Sequence, residues 1–330
     1  MDSVVITTIQ APTTAEKAML STARSAGMNL IAIGDRKTVP ATWPEGARYV
    51  DVQQQLQTDL DYARLAPFNH YARKNIGYLI AMSEGAGAIF DTDDDNAPLE
   101  NWKPRALETR ARRCLGTGWV NVYQWFTETH VWPRGLPLDH VRSQQARPNA
   151  GSPVEVTAPI QQGLADGSPD VDAVWRLVMD RDIRFANGDS IHLPPGAWCP
   201  FNSQSTWWFR AAYPLMYLPS CVSFRVTDIW RSFIAQRCLW ELGAGVVFHG
   251  PEMFQERNPH CLMRDFEEEI PGYLQNNNIR LALEETALVS GPEAVRDNCH
   301  RCYETMVRAG FIPDREMKML EAWLSDLPSQ

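Results

Sequence analysis

Short apolar runs alternate with amphipathic stretches along the first hundred residues. The run at residues 4–8 is rich in β-branched side chains and predicts a buried strand. Thr13 to Glu16 has the composition of a capping box, which predicts a helix extending to about Ala26. Residues 29–33 predict a second strand. This order is typical of parallel α/β folds, which bind ligands at the carboxyl ends of their strands.

The same pattern continues up to an acidic cluster. Residues 49–52 predict a short third strand, and residues 71–84 predict a helix with one apolar face. Residues 88–90 predict another buried strand, which leads directly into the acidic run Asp-Thr-Asp-Asp-Asp at residues 91–95. We therefore expect this acidic run to lie at the same edge of the sheet as the ends of the first two strands.

The pattern is less regular in the rest of the chain. Residues 97–150 predict strands and long loops, and residues 172–180 predict a short helix or strand. Residues 228–242 predict an amphipathic helix that stops at a glycine. Residues 280–325 predict helices with a break at 310–313.

Composition restricts the possible functions. The 330 residues are 44% hydrophobic, as in an ordinary globular protein, and have a formal net charge of −9. An acidic chain is poorly suited to bind nucleic acid, because neutralising phosphates requires a basic face. We see no secretory signal and no apolar run near the roughly 18 residues of a membrane span. The seven scattered cysteines fit a reducing compartment, so we expect a cytoplasmic location.

The acidic run is the strongest candidate for a chemical site. Neighbouring carboxylates raise each other's pKa unless a cation or a hydrogen-bond donor compensates their charge. A hard divalent cation such as Mn²⁺ or Mg²⁺ binds carboxylate oxygens and keeps positions open for substrate phosphates. A solvated acidic turn with a helix-capping aspartate is the alternative, and spacing alone does not separate the two.

Polar residues that follow or precede the other predicted strands are further candidates. Asp35 could accept a hydrogen bond from a base or ribose, and Lys37 could reach a phosphate. Arg73 and Lys74 begin the helix before the acidic strand and could bind a diphosphate. A polar turn and a solvated helix face are the ordinary alternatives.

Asp228 and two histidines are candidates in the second half of the chain. Asp228 begins a predicted helix, where it could be a general base for an acceptor hydroxyl or only an N-cap. His249 and His260 could complete a metal site, although a lone histidine is more often structural.

A polar and aromatic segment could bind a sugar. Asn202, Ser203 and Gln204 lie close to Trp207, and amides beside aromatic rings suit carbohydrate ligands. The same residue types also form ordinary loops, so the segment alone does not decide its function.

Six sequence blocks follow one another in a fixed order along the chain. They are Ile33–Pro40 with Trp43 (GD-x-KTP…W), Tyr71–Tyr78 (Y-x-RK-x-x-GY), Ile89–Asn96 (a strand and aspartates), Gln162–Ala173 (QG…DPDVDA), Pro200–Thr206 (PYNSQNT) and Val226–Glu241 (V-x-DIWRG…AQR…WE). In this order they resemble the STELLO-type glycosyltransferases. One block alone would be weak, but six in order are specific. We place no such block in residues 275–330.

The resemblance implies an α/β fold of the GT-A-like nucleotide-diphospho-sugar transferase type, with a mixed, mostly parallel central sheet. It implies a catalytic domain at residues 1–270, with a nucleotide-binding half at 1–100 and an acceptor half at 101–270. Residues 271–330 would form a C-terminal helical extension. Plant members of the family have a Golgi membrane anchor, and we recognise no such span in this chain.

The family is more distantly similar to the reversibly glycosylated polypeptides, which are UDP-arabinopyranose mutases. Their aspartate run corresponds here to residues 93–95, and their DDMW segment resembles residues 227–230. They also have a late histidine, whereas the comparable residues 251–257 contain none. The third protein ligand of the metal could therefore be His260, His249 or water.

The resemblance implies an enzyme that transfers a sugar from a nucleotide-diphosphate donor, such as a UDP-sugar, to a glycan or other hydroxyl acceptor. The expected nucleotide-sugar-binding residues are Thr8, Gln10, Asp35, Lys37, Arg73, Lys74, Asp93 and Asp94. Asp93, Asp95 and His260 would hold Mn²⁺ or Mg²⁺, and Asp228 would be the catalytic base. The expected acceptor residues are Asn202, Ser203, Gln204 and Trp207. Two alternatives remain, a UDP-sugar mutase and a non-catalytic scaffold in polysaccharide assembly.

Overall fold

A computed structural model describes residues 1–256 and 261–328 and arranges them around one large sheet. The strands are β1 Ser3–Thr7, β2 Asn29–Ile33, β3 Ala47–Val50, β4 Ala88–Asp91, β5 Asn96–Pro98, β6 Glu108–Cys114, β7 Gly118–Trp119, β8 Ala150–Thr157, β9 Ile160–Gly167, β10 Ile191–Leu193, β11 Ala197–Trp198, β12 Thr206–Phe209 and β13 Val246–Gln255. The α-helices are α1 Thr14–Ser25, α2 Val52–Leu56, α3 Asp61–Leu65, α4 Lys74–Ser83, α5 Tyr123–Phe126, α6 Leu138–Val141, α7 Ala173–Val178, α8 Thr227–Trp240, α9 Leu262–Glu285, α10 Val295–Arg308 and α11 Arg315–Asp326.

The main sheet is mixed. Its strand order is β3-β2-β1-β4-β12-β9-β13-β10-β6-β8, and β5 also pairs with β13. The block from β3 to β4 is entirely parallel. The pairings show that β5, β6, β10 and β12 run opposite to the other seven strands of the sheet. The predicted α/β class with a mixed, mostly parallel sheet is therefore confirmed.

Side chains on the parallel strands alternate between two cores, one on each face of the sheet. Val4 and Ile6 of β1 are buried in a core with Met19 of α1. Val5 is buried in a larger core on the opposite face, together with Ile76 of α4. The alternation explains why the first strand has no polar position in its centre, since helices cover both faces.

The predicted elements of the first hundred residues agree with the structure. Thr13 is the N-cap of α1, and its hydroxyl accepts from the Glu16 amide at 3.0 Å. The Glu16 carboxylate in turn accepts from the Thr13 amide at 2.6 Å, so the predicted capping box is confirmed. Near the other end of the chain, Gly310 follows α10 with a φ of 75°, which is the predicted break between two helices.

The predicted boundary between residues 270 and 271 falls inside α9, which is a continuous helix from Leu262 to Glu285. Ile279 and Leu283 of this helix are buried in the same core as Phe233 of α8. The predicted C-terminal extension therefore packs against the body of the protein and does not begin at a break between elements. None of the described helices has both the length and the apolar character that a bilayer-spanning segment requires.

Gly77 allows α4 to lie close to β1 and β2. A Cβ atom at this position would lie 2.6 Å from Val5 Cγ1 and 2.8 Å from Ile33 Cγ1. We expect Gly77→Ala to lower the free energy of unfolding by about 1–2 kcal/mol, because overpacking outweighs the better helix propensity of alanine. Urea denaturation measures this change.

Gly188→Ala is the matched control for this prediction. A Cβ atom at Gly188 would meet nothing within 4 Å. The control should therefore unfold at nearly the same urea concentration as the wild type. A Gly77→Ala variant as stable as the wild type would contradict the close approach of α4 to the sheet.

Candidate functional site

A cavity of about 440 Å³ lies at the carboxyl ends of β1, β2, β4, β9 and β13. These five strands run in the same direction, so the loops that follow them meet at one edge of the sheet. The lining includes Thr8, Gln10, Asp35, Lys37, His70, Tyr71, Asp93, Asp94, Asp95, Arg134, Asp170, Arg176, Gln204, Phe224, Arg225, Asp228 and Gln255. Nine of the residues predicted from the sequence are therefore brought together, namely Thr8, Gln10, Asp35, Lys37, Asp93, Asp94, Asp95, Gln204 and Asp228.

Lys74 is completely buried beneath the acidic run. Its Nζ lies 2.7 Å from Asp91 Oδ1 and 2.9 Å from Asp93 Oδ1. Burial would lower the pKa of Lys74, but the charges of the two aspartates raise it above its ordinary value. Lys74 therefore supports the acidic run from below and does not line the cavity, which corrects its predicted contact with the nucleotide.

Asp91 is a structural charge between two buried cations. Its second oxygen lies 3.0 Å from Arg231 Nη2 of α8, and the carboxylate is fully buried. The side chain points this way because Asp91 and Ile89 lie two residues apart on β4 and share the face that α4 and α8 cover. An aspartate at this position could contact the nucleoside or be structural, and its complete burial between two cations indicates the structural role.

Asp93 uses one oxygen for the protein and leaves the other for the cavity. Oδ1 accepts from the Tyr71 hydroxyl at 2.5 Å and from Lys74 Nζ at 2.9 Å. Among the described residues, no donor reaches Asp93 Oδ2. The carboxylate is thus oriented by Tyr71, a residue to which the sequence alone assigned no role, and has one oxygen available for a hard cation.

Asp94 and Asp95 are oriented by residues from neighbouring strand ends. Asp94 Oδ2 accepts from the Thr8 hydroxyl at 2.5 Å, which connects the end of β4 to the end of β1. Asp95 Oδ2 accepts from Gln255 Nε2 at 2.9 Å, and Asp95 Oδ1 accepts from Asn96 Nδ2 at 3.0 Å. Gln255 is the last residue of β13, so its proximity depends on the strand order and could not be predicted from local sequence.

The three adjacent aspartates have raised pKa values. Burial is the largest cause for Asp93, Asp94 and Asp95. For Asp95, burial and then the charge of Asp93 raise the pKa to about 7. A divalent cation would favour the ionised forms, so the chemistry of the pair Asp93 and Asp95 fits two ligands of such a cation.

A complete set of protein ligands is not assembled in the described part of the chain. Within residues 1–256 and 261–328, no three histidine, cysteine, aspartate or glutamate side chains converge as a metal site. His260, the predicted third ligand, lies outside the described residues. His249 is engaged elsewhere, because its Nδ1 lies 2.7 Å from Ser190 Oγ and its Nε2 lies 2.9 Å from Gln161 Oε1.

Asp35 and Lys37 form the part of the cavity that follows β2. Asp35 Oδ1 accepts from the Arg36 amide at 2.6 Å, and Oδ2 accepts from the His70 amide at 3.1 Å. These two bonds fix the orientation of the carboxylate. In the part of the chain that the structure describes, Lys37 forms no ion pair, so its ammonium group is available to a ligand.

Arg73 is directed away from the cavity. Its guanidinium is fully buried, donating from Nε to Gln55 Oε1 at 2.9 Å and from Nη1 to the Ala66 carbonyl at 3.1 Å. It therefore connects α4 to the segment of α2 and α3. This placement corrects the expectation that Arg73 contacts the nucleotide, because Arg73 and Lys74 point to different sides of the same helix start.

Trp207 lies on the wrong face of the sheet to contact an acceptor. Its ring packs against Phe90 at 4.8 Å and Trp102 at 5.6 Å between ring centroids. All three belong to the core that α1 covers. The expectation that Trp207 binds sugar is corrected by the alternation of side chains along β12, which buries this ring.

Asn202 and Ser203 are buried supports of the loop before β12. Asn202 Oδ1 accepts from the Gln204 amide at 2.9 Å, and Ser203 Oγ accepts from Arg231 Nη2 at 2.8 Å. Neither lines the cavity, which corrects their predicted contact with an acceptor, whereas Gln204 does line it. The polar composition of this segment was therefore needed mainly to satisfy buried hydrogen bonds.

Asp228 shares a guanidinium with a second aspartate. Arg134 binds Asp170 through two bonds, from Nε at 2.7 Å and from Nη2 at 2.8 Å. The same Nη2 lies 3.0 Å from both oxygens of Asp228. Asp228 is in the first turn of α8 and its carboxylate is not the N-cap, since Val226 holds that position without a side-chain bond. No local pattern in the sequence indicated a role for Arg134, which is 94 residues from Asp228.

We expect Asp91→Asn to be strongly destabilising. The change would leave Lys74 and Arg231 buried without their shared counter-charge. Removing one partner of a buried ion pair lowers the free energy of unfolding by about 3–5 kcal/mol. Urea denaturation measures the effect, and Asp61→Asn is the control because Asp61 pairs with Arg64 at the surface, where such a change costs less than about 1 kcal/mol. Equal effects of the two substitutions would contradict the role assigned to Asp91.

The raised pKa of Asp95 predicts a pH-dependent stability. The pKa of this carboxyl is 3.8, its ordinary value, in the unfolded chain and about 7 in the folded chain. The folded state binds the extra proton between these values, so the free energy of unfolding falls as the pH rises through this range. The amide of Asp95→Asn does not titrate in this range. We therefore expect the free energy of unfolding of this variant, measured by urea denaturation, to fall less than that of the wild type between about pH 4 and pH 7.

Asp59→Asn is the control for the pH series, because Asp59 is exposed. It should leave the slope of the wild type unchanged. Parallel pH curves for the wild type and Asp95→Asn would show that Asp95 titrates alike in the folded and unfolded chains.

Sequence comparisons with known proteins agree with the resemblance that the six blocks indicated. Residues 225–330 match the family model described as STELLO glycosyltransferases. The match includes residues 275–330, in which no block was placed, so the C-terminal helices also resemble the family. Among solved structures, the glucosyl-3-phosphoglycerate synthase of M. tuberculosis superposes with a TM-score of 0.34 and 11% identity, over 86% of this chain and 78% of that chain.

Two curated relatives come from Arabidopsis thaliana. "Probable glycosyltransferase STELLO2" is 29% identical over 329 residues, which cover 91% of this chain and 41% of that protein. "Probable glycosyltransferase STELLO1" is 28% identical over 352 residues, which cover 98% of this chain and 44% of that protein. The chain thus spans less than half the length of either relative. The predicted resemblance of this chain to the STELLO glycosyltransferases is confirmed over most of its length.

Proposed function

We propose that the chain is a metal-dependent glycosyltransferase that moves a sugar from a nucleotide-diphosphate donor, a UDP-sugar, to a glycan or other hydroxyl acceptor. The observation that supports this proposal most directly is one cavity at the strand ends whose walls include both the acidic run Asp93–Asp95 and Asp228. A diphosphate site and a base in one cavity are the two elements that sugar transfer to a hydroxyl requires. The similarity to proteins described as probable glycosyltransferases agrees with it.

The donor would occupy the side of the cavity formed by β1 and β2. Asp35 would accept a hydrogen bond from the base or ribose, since its carboxylate is already fixed by two backbone amides. Lys37, which has no ion-pair partner among the described residues, would contribute its ammonium group to a phosphate. Thr8 would hold Asp94 in place and thereby keep the ends of β1 and β4 together.

The charge of the cavity supports the need for a cation. Its carboxylates are Asp35, Asp93, Asp94, Asp95, Asp170 and Asp228, and Arg134 is shared between the last two. A diphosphate entering beside three aspartates would be repelled unless a cation intervened. Asp93 and Asp95 would hold Mn²⁺ or Mg²⁺, which would neutralise the developing charge of the departing diphosphate.

Asp228 would accept the proton of the acceptor hydroxyl. Both of its oxygens face a single nitrogen of Arg134, and Oδ1 also accepts from the Ile229 amide at 3.0 Å, so Oδ2 is the oxygen that keeps a lone pair for another donor. Gln204 and the half-exposed ring of Phe224 also line the cavity and would contact the acceptor, in place of the buried Trp207. A carboxylate base of this kind contributes about 10²–10⁴-fold to a transfer rate.

Binding calorimetry with UDP tests the donor site. We expect UDP to bind in the presence of Mn²⁺ and to bind much more weakly without it, because the cation screens the aspartates from the diphosphate. Asp93→Ala and Asp95→Ala should each weaken binding at least about tenfold, as expected for loss of a metal-site group. Asp59→Ala, an exposed change outside the cavity, should bind as the wild type does.

Incubation with UDP-sugars tests the reaction. Transfer to an added glycoside, followed by NMR, supports the proposal. Ring contraction of the donor without an acceptor would instead indicate a mutase. Full Mn²⁺-dependent turnover by Asp93→Ala or Asp95→Ala would contradict the proposed metal site, and absence of both UDP and Mn²⁺ binding would favour a non-catalytic scaffold.

A further inference from the structure

Three charged side chains from three separate segments meet at one wall of the cavity. Arg134 lies in the loop before α6, Asp170 lies between β9 and α7, and Asp228 lies in the first turn of α8. All three are nearly buried, with side-chain exposures of 8%. Three ionised groups are removed from water here, so their geometry has to compensate a large desolvation cost.

The two carboxylates do not contact Arg134 equally. Asp170 places one oxygen on Nε and the other on Nη2, in the two-pronged geometry that fits a guanidinium best. Asp228 has only the Nη2 nitrogen, at 3.0 Å from both of its oxygens. Asp170 is therefore the partner that sets the plane of the guanidinium. Asp228 Oδ1 also accepts from the Ile229 amide at 3.0 Å, so Oδ2 has Arg134 as its one donor among the described residues.

The guanidinium is also fixed from its remaining edge. Arg134 Nη1 donates to the backbone carbonyl of Arg225, three residues before Asp228 in the chain. The Arg225 side chain is in turn paired with Glu269 of α9. The position of Arg134 relative to the start of α8 is thus determined by Asp170 on one side and by the main chain at residue 225 on the other.

We propose that Arg134 and Asp170 are positioning residues for Asp228, an inference that rests on the proposed function. Asp170 occupies the two-pronged face of Arg134, which prevents Asp228 from forming that closed pair itself. Asp228 keeps its orientation, while Oδ2, which accepts only from Arg134 among the described residues, retains a lone pair for another donor. A lysine at position 134 would lack the planar fork and could not hold both carboxylates in this way.

The surrounding charges agree with this assignment. Arg231 of α8 and the Tyr71 hydroxyl lie within electrostatic range of Asp228, and Glu269 lies within range of Arg134. Arg231 is already committed to Asp91 at 3.0 Å. Of the described cations near Asp228, Arg134 is therefore the one that contacts it directly.

Steady-state kinetics of Arg134→Lys and Asp170→Asn test the inference. The wild type is first assayed for UDP release from a panel of UDP-sugars with Mn²⁺ and simple glycoside acceptors, and the most active pair is used. We expect kcat to fall about 100-fold in Arg134→Lys and about tenfold in Asp170→Asn, because the base is misplaced. The KM for the UDP-sugar and the affinity for UDP with Mn²⁺ should stay within about twofold of the wild type, since neither residue contacts the proposed donor groups.

Arg237→Lys is the matched control. Arg237 is a buried arginine of the same helix α8, paired with Glu241 at 2.8 Å and outside the cavity. It should keep the wild-type kcat even if its stability falls. Thermal unfolding identifies any variant that does not fold, and Asp170→Asn, which preserves side-chain shape, decides the question if Arg134→Lys fails to fold.

The possible results separate this inference from the proposed function. An active wild type whose Arg134→Lys and Asp170→Asn variants keep kcat within about twofold would overturn the inference alone. A rise in KM for the UDP-sugar with unchanged kcat would also overturn it, because that result indicates direct donor binding. A wild type that binds UDP with Mn²⁺ but releases no UDP from any donor would overturn the proposed transferase, and the inference with it.

Discussion

The buried carboxylate of Asp91, placed between the ammonium of Lys74 and the guanidinium of Arg231, joins β4, α4 and α8 at one point. A charge at this depth is tolerated only with close partners, so the three elements can pack in few other ways. Lys74 also pairs with Asp93, so the ion pair between Lys74 and Asp91 helps to determine the position of the acidic run. The chemistry proposed for the cavity therefore depends on a structural charge that no ligand contacts.

Arg134, Asp170 and Asp228 form a second set of charges in the wall of the cavity, and helix α9 supports it. Glu269 of α9 is paired with Arg225, and Asn276 of the same helix accepts from Trp230 Nε1 at 2.9 Å in α8. These contacts hold the start of α8, where Asp228 lies. Helix α9, which continues past residue 270, is thus part of the architecture around the cavity, and it lies within the segment that matches the STELLO family model.

The aspartates of these two sets of charges differ in whether an oxygen remains available to a ligand. Asp91 has a cation at each oxygen and no exposure, which suits a structural role. Asp93 has one oxygen without a described donor, and Asp228 has one oxygen, Oδ2, whose single described donor is Arg134 Nη2. Carboxylates with remaining lone pairs are the ones that can bind a cation or accept a proton. Aspartates in the cavity and beneath it thereby differ in function through their partners.

The sequence by itself determined the local elements, the class of fold and the acidic run, because hydrophobic period, capping residues and strand-end polarity are properties of neighbouring residues. Through the rule that parallel strands end at one edge, it also predicted that Asp35 and Asp93 would share a site, to which the resemblance to the STELLO-type glycosyltransferases added Asp228. Only the tertiary structure decided which predicted side chains reach that site. Trp207 and Arg73 are buried elsewhere, and Arg134 and Gln255 are brought in from distant segments. The physical reason is that the face a side chain occupies and the partner that neutralises its charge depend on strand order and helix packing, which spacing along the chain does not encode.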